Sequence, residues 1–214
     1  TALAGTLAAT VAQAGALSVS GTATMEYQST KATATTAADT FGQNATITFS
    51  GSGELDNGNT VSMYQALSGG SLTSQAVTLD MGDMGAVSIA SANLAGIGTI
   101  QDMVPNGGEQ PWDDLGTHGT PQQGVASPHS GNRLGYKTTA GGAIISAAVD
   151  YQQNSATTSM AIQLPNLVEG LNIGAGLATD QSSATTEDDI ETMYIKYAMG
   201  AVSVGYQTTD VDVT

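Results

Sequence analysis

Between residues 17 and 28 the chain reads Leu-Ser-Val-Ser-Gly-Thr-Ala-Thr-Met-Glu-Tyr-Gln, with apolar or small side chains at odd positions and polar ones at even positions. A period of two deals these sets to opposite faces of a strand. The pattern returns over residues 45–56, where Ala45, Ile47, Phe49, Gly51, Gly53 and Leu55 alternate with Thr46, Thr48, Ser50, Ser52, Glu54 and Asp56. Both runs are about twice the usual five or six residues of a strand in a water-soluble protein, and they reach the roughly nine to eleven tilted residues that cross a bilayer. Further segments follow at 60–67, 74–81, 86–91, 132–139, 142–153, 157–164, 171–180, 190–199 and 201–210, with no helical period between them.

Punctuation between the segments predicts how they connect. Asp56-Asn57-Gly58-Asn59 is a tight-turn sequence, and Gly82-Asp83-Met84-Gly85, Ala140-Gly141-Gly142 and Gly200 supply other short links. The polar stretches 68–73 and 181–189 read as longer loops. Short turns at one end and loops at the other are the habit of membrane barrels. On that parity Val19, Met25, Tyr27, Ile47 and Phe49 face lipid, while Glu26, Thr46, Thr48 and Glu54 face water. Arg133 and Lys137 then lie opposite Leu134 and Tyr136, and Met193, Ile195 and Tyr197 point outward with Thr192, Tyr194 and Lys196 inward.

Residues 92–131 break the rhythm. They carry the sole Trp (Trp112), both His (His118 and His129) and the acids Asp102, Glu109, Asp113 and Asp114. A connection this long inside a compact domain is functional or disordered. Leu94, Ile97, Ile100, Met103, Val104, Trp112 and Leu115 favour a segment that folds back against the sheet.

Composition removes several classes. With 40% hydrophobic and 11% charged residues the chain is not of disordered type, and no apolar run approaches the roughly 18 residues of a spanning helix. Four basic residues (Lys31, Arg133, Lys137, Lys196) against a net charge of -15 exclude nucleic acid as an expected partner. Absence of Cys excludes thiolate zinc sites, disulfides and cysteine nucleophiles. The two His lack a third ligand at zinc spacing. Glu187-Asp188-Asp189 and the Asp210/Asp212 pair are the candidates for Ca²⁺ at acidic loops, a solvated loop being the simpler reading; no other cofactor is expected. No nucleophile elbow, P-loop or dinucleotide fingerprint appears, so no enzyme is expected. Residues 1–14 end Val11-Ala12-Gln13-Ala14, a small-x-small pattern that predicts a residual signal peptide followed by one domain over 15–214.

Three stretches, Phe-Ser-Gly-Ser-Gly-Glu-Leu-Asp-Asn-Gly (49–58), Val-Thr-Leu-Asp-Met-Gly-Asp-Met-Gly-Ala-Val-Ser-Ile (77–89) and Asn-Arg-Leu-Gly-Tyr-Lys (132–137), resemble the general diffusion porins of Gram-negative outer membranes, most closely the alphaproteobacterial type. The resemblance runs over residues 16–213. It implies an all-β, antiparallel transmembrane β-barrel of about sixteen strands when complete, of which about eleven are present here, with a long third loop folded inward. It further implies outer-membrane lipid as surroundings, a homotrimer, and a water-filled channel for passive diffusion of ions and small hydrophilic solutes. Asp102, Glu109, Asp113 and Asp114 are then the expected constriction acids, with Arg133 and Lys137 on the opposite wall. Because acids outnumber bases 19 to 4, weak cation selectivity is expected. Simpler readings make Asp113-Asp114 a solvated loop tip and give Arg133 and Lys137 the task of holding the loop.

Two features depart from the family pattern. Ile89 runs into Ala90-Ser91-Ala92-Asn93 where a Gly and a basic residue are usual, and Asp212-Val213-Thr214 stands where a terminal aromatic is usual. The chain is therefore expected to be truncated at both ends. The competing class is a secreted or surface β-sandwich adhesin or structural protein, also acidic and Cys-free, which calls for shorter strands and larger buried side chains.

Overall fold

A computed structural model describes residues 17–29, 39–101, 103–105, 132–152, 155–183 and 186–213. Eleven strands follow in order: β1 (Ser18–Ser29), β2 (Asp39–Glu54), β3 (Thr60–Ser68), β4 (Ser71–Asp80), β5 (Ala86–Ala90), β6 (Arg133–Ala140), β7 (Ala143–Gln152), β8 (Ser155–Leu164), β9 (Leu171–Ser183), β10 (Thr186–Met199) and β11 (Val202–Val213). They form one antiparallel sheet whose strand order is the sequence order. Short links make this the natural solution, because a hairpin can join only antiparallel neighbours. The chain divides into two compact units, Thr1–Val77 and Thr78–Thr214.

In the first unit, β1 and β2 pair without interruption from Ser18↔Ser50 to Ser29↔Asp39. This register puts Val19, Met25 and Tyr27 on the same face as Phe41, Ile47 and Phe49, as the alternation requires. Met25 is 92% and Phe41 88% exposed, and the Tyr27 and Phe41 rings meet with centroids 5.2 Å apart. On the opposite face Ser18 and Ser50 hydroxyls lie 2.7 Å apart and Ser68 Oγ donates to Asn44 Oδ1 at 2.8 Å. The strand β2 starts six residues before residue 45, where alternation becomes visible.

The second unit repeats the alternation at larger scale. On one face of β6–β11 stand Leu134, Tyr136, Ile145, Met160, Ile162, Leu177, Met193, Ile195, Tyr197, Val204 and Tyr206, all exposed. The other face carries Arg133, Ser146, Ala148, Asp150, Thr157, Ser159, Ala161, Ala178, Ile190, Thr192 and Tyr194, all buried. The inward and outward sets expected for β6 and β10 therefore hold. So extensive an uncovered apolar face is a lipid-contacting surface. Along β10 its apolar positions run from Met199 to Met193, about 20 Å at strand rise, and then give way to Glu191 and Asp189.

Two expected loops are corrected. Residues 68–73 hold a two-residue link at Gly69-Gly70 between β3 and β4, and residues 181–189 are mostly strand, extending β9 to Ser183 and starting β10 at Thr186. In the second, the outward residues Thr179, Gln181, Glu187 and Asp189 are no longer apolar while the backbone still pairs, so hydropathy ended the strands too early. At the opposite end of the second unit, Gly141 and Gly142 have φ of 59° and 82°; two consecutive left-handed residues match the twist of a two-residue hairpin. The proposed signal segment lies outside the described residues.

Ile162→Arg, on the lipid face of β8, is expected to cost about 2–4 kcal/mol of folding free energy in lipid. Thr139→Arg, on the inner face of β6, should cost far less. Urea titration of each variant in vesicles, read by heat-modifiable gel mobility, checks the contrast.

Candidate functional site

The buried face of the second unit is occupied by the chain's own connection. After β5 the backbone bends through residues 91–95 and makes a single 3-10 turn, Gly96–Ile100, that lies against β7, β8 and β9. Ile97 and Ile100 are fully buried there, among Ala161, Ala178, Ile190 and Tyr194, with Met103 packed alongside. The inward folding expected of this connection is thus seen in its described part.

Small wall residues create the space. A side chain at Gly176 would collide with Ile97 and Ile100, one at Gly135 with Ala95 and Ser88, and one at Gly205 with Pro105. Gly96 itself has φ of 68°, and a Cβ there would strike Ser159 Oγ and Ala148 Cβ. Register aligns these positions: Ala148 opposes Gly135 and Ser159, Ser159 opposes Ala178 and Ala161 opposes Gly176. The 3-10 turn therefore rests in a trough of Gly, Ala and Ser running across the strands.

Hydrogen bonds fix its height and direction. The Ile97 N–H donates to Ser159 Oγ at 3.1 Å, and Ser146 Oγ donates to the Gly96 carbonyl at 3.3 Å. Gln207 Nε2 donates to the Ile100 carbonyl at 2.9 Å, while its Oε1 accepts from the Met103 N–H at 2.8 Å. A side-chain chain backs the turn: Tyr194 OH donates to Gln163 Oε1 at 3.4 Å, and Gln163 Nε2 donates to Thr99 Oγ1 at 3.2 Å. Polar groups withdrawn from water are satisfied by this network.

Arg133 holds the start of the segment. It is 3% exposed; Nη1 donates to Asn93 Oδ1 at 2.8 Å and Nη2 to the Ser91 carbonyl at 2.9 Å. Asn93 in turn donates to Gln101 Oε1, so one guanidinium ties together both ends of the inward bend. Lys137 shares that face but is exposed, on a rung with Ala86 and Ser146. Four residues of strand separate the two cations by about 13 Å. Asp102, Glu109, Trp112, Asp113, Asp114, His118 and His129 lie outside the described residues.

Other acids are placed by register. Asp150 opposes Thr157, Thr157 opposes Asp180, and Asp180 opposes Asp188, which makes one row on the loop-bearing face. Hydropathy alone passed over these residues, and only parity counted from Arg133 through successive hairpins would have aligned them. Asp189↔Asp212 and Glu191↔Asp210 are direct cross-strand pairs on the opposite face. The acids considered for Ca²⁺ are thus in strands, with Asp188 and Asp189 on opposite faces. Among the described residues no group of three or more His, Asp or Glu is placed to hold a metal.

Long antiparallel strands with a lipid-contacting face, and a connection folded onto the other face, define a transmembrane β-sheet channel. The chain matches the Gram-negative porin family model over residues 1–214 and belongs to that family. Its place is the outer membrane. Among solved structures it is similar to two mutants of a Rhodopseudomonas blastica porin. One has 12% identity, covers 92% of this chain and 85% of the other, and gives a TM-score of 0.58. The second, a triple mutant, has 14% identity, the same coverages and a TM-score of 0.55. No curated protein sequence matches significantly.

Gly96→Ala is expected to cost about 1–3 kcal/mol through left-handed strain and collision. Residues 91–105 should then become open to limited proteolysis in folded protein, mapped by mass spectrometry of the fragments. Arg133→Ala leaves the Asn93 and Ser91 oxygens without these donors, for a loss of about 1–3 kcal/mol and the same increase in cleavage.

Proposed function

We propose that this porin is a water-filled pore for passive diffusion of ions and small hydrophilic solutes, with a preference for cations. The reading rests on one observation above others: the described start of the connection after β5, residues 91–101 and 103–105, lies on the inner face of the sheet. A segment held there narrows the path, and charges on it act across a short distance between low-dielectric walls, which focus their field. Rings of side-chain charge at such a place select among ions.

Asp102, Glu109, Asp113 and Asp114 are the proposed constriction acids. Arg133 and Lys137 are the proposed cationic wall, with Arg133 acting through its grip on Asn93 and Ser91 and Lys137 free to face the solution. Acids exceed bases 19 to 4 in the chain, which supports cation preference. Family membership supports a homotrimer as the working assembly, to be read from the mass of the detergent-solubilised native protein.

Reconstituted in planar bilayers under a KCl gradient, the protein should show a reversal potential of the sign set by K⁺ permeation. A clear anion preference would sink the cation reading. Asp113→Asn with Asp114→Asn should bring the potential closer to zero; an unchanged value would place this pair away from the constriction.

A further inference from the structure

We infer that Gln207 and Gly205 of β11 form a clasp on the inward connection, and that Gln207 is a positioning residue for the pore aperture, a conclusion that rests on the porin reading above. Gln207 Nε2 donates to the Ile100 carbonyl at 2.9 Å, and its Oε1 accepts from the Met103 N–H at 2.8 Å. These two main-chain groups stand on either side of position 102 in the sequence. One neutral carboxamide, 104 and 107 positions away, thus fixes the chain before and after a proposed constriction acid.

The orientation of that carboxamide is determined. Its nitrogen also donates to Thr192 Oγ1 at 3.5 Å, and Thr192, 4% exposed, is held in turn by donating to the Thr208 carbonyl at 3.0 Å. With two acceptors on the nitrogen side and one donor on the oxygen side, a flipped carboxamide loses all three contacts.

Gly205 completes the clasp. It lies two residues along β11 toward the Gly200 turn, about 7 Å, on the face that Gln207 shares. Pro105 packs directly on it, and a Cβ at Gly205 would come within 2.6 Å of Pro105 Cδ. The 3-10 turn lies against β7, β8 and β9, whereas from Met103 to Pro105 the backbone descends along β11. Gln207 marks that change of direction. The Ser159 and Ser146 bonds are made farther back, to Ile97 and Gly96, so the clasp is a separate anchor whose loss leaves the turn in its trough.

Chemistry limits what can stand at position 207. The grip needs a donor and an acceptor on one planar group; an ionised carboxylate supplies acceptors alone, and a protonated one supplies both. An apolar side chain supplies neither and leaves a carbonyl and an amide unsatisfied.

The test compares Gln207→Leu and Gln207→Glu with the wild-type protein, each shown to be folded by heat-modifiable gel mobility. Single channels are recorded in planar bilayers at about pH 7 and about pH 4, either side of the usual protonation of a glutamate facing a carbonyl. Hydrogen exchange of the Met103 amide is followed in the same proteins. Gln207→Leu is expected to speed that exchange about tenfold, the worth of the lost hydrogen bonds. Its mean conductance falls and its open-channel noise rises at both pH values, because chain released from the wall takes up more of the lumen. Gln207→Glu is expected to conduct less than wild type at neutral pH and to match it in acid, when the protonated carboxyl again donates to the Ile100 carbonyl. Wild-type conductance and noise in folded Gln207→Leu overturn the inference, and so does a Gln207→Glu deficit that acid does not relieve. If Gln207→Leu does not fold, Gly205→Ala, which displaces Pro105 from the same strand, decides by the same change in conductance. Wild-type protein that opens no conducting channel instead overturns the porin reading beneath, while Met103 exchange, which needs no conduction, still reports on the clasp.

Discussion

In hydrocarbon each backbone N–H and C=O must find its partner inside the protein, since no water is present to take its place. That constraint explains why the strands are long, why each pairs with its sequence neighbour, and why the ladder continues beyond the last apolar side chain. It also leaves side chains as the only adjustable part of the wall. A period of two then divides them into one set that meets lipid and another that meets the pore.

The inner set solves a second problem, which is how to place a connection against a wall already full of side chains. Gly135, Ala148, Ser159, Ala161, Gly176 and Ala178 leave a trough, and Ile97 and Ile100 fill it. Apolar burial supplies adhesion there, while Ser146, Ser159 and Gln207 supply position. Arg133 works at the threshold of the trough: its charge is almost withdrawn from water, so its chief effect is on where residues 91–101 begin and end.

Much of this was legible from the chain. Alternation located all eleven strands, and parity assigned the faces of Arg133, Lys137 and the β10 residues. What alternation missed has a common cause: it reports contact with lipid, and pairing does not need lipid. Residues 39–44, 181–183 and 186–189 are strand in which the outward positions are not consistently apolar, so alternation does not mark them. For Arg133 the chain offered both a pore-wall charge and a residue that holds the loop, because a lone basic residue gives no sign of its burial; only the fold brings Asn93 and Ser91 within its reach. The acids Asp150, Asp180 and Asp188 are far apart in sequence and become neighbours only through three successive registers.

The bonds that seat the 3-10 turn are made largely to its main chain: Ser159 to the Ile97 amide, Ser146 to the Gly96 carbonyl, Gln207 to the Ile100 carbonyl and the Met103 amide. A wall that grips backbone does not read the identity of most side chains it holds. The location of the inward segment is thereby separated from its chemistry. A side chain on this segment that makes none of these bonds can change without disturbing the seat, so the anchoring of the turn and the chemistry it displays are separate properties of the chain.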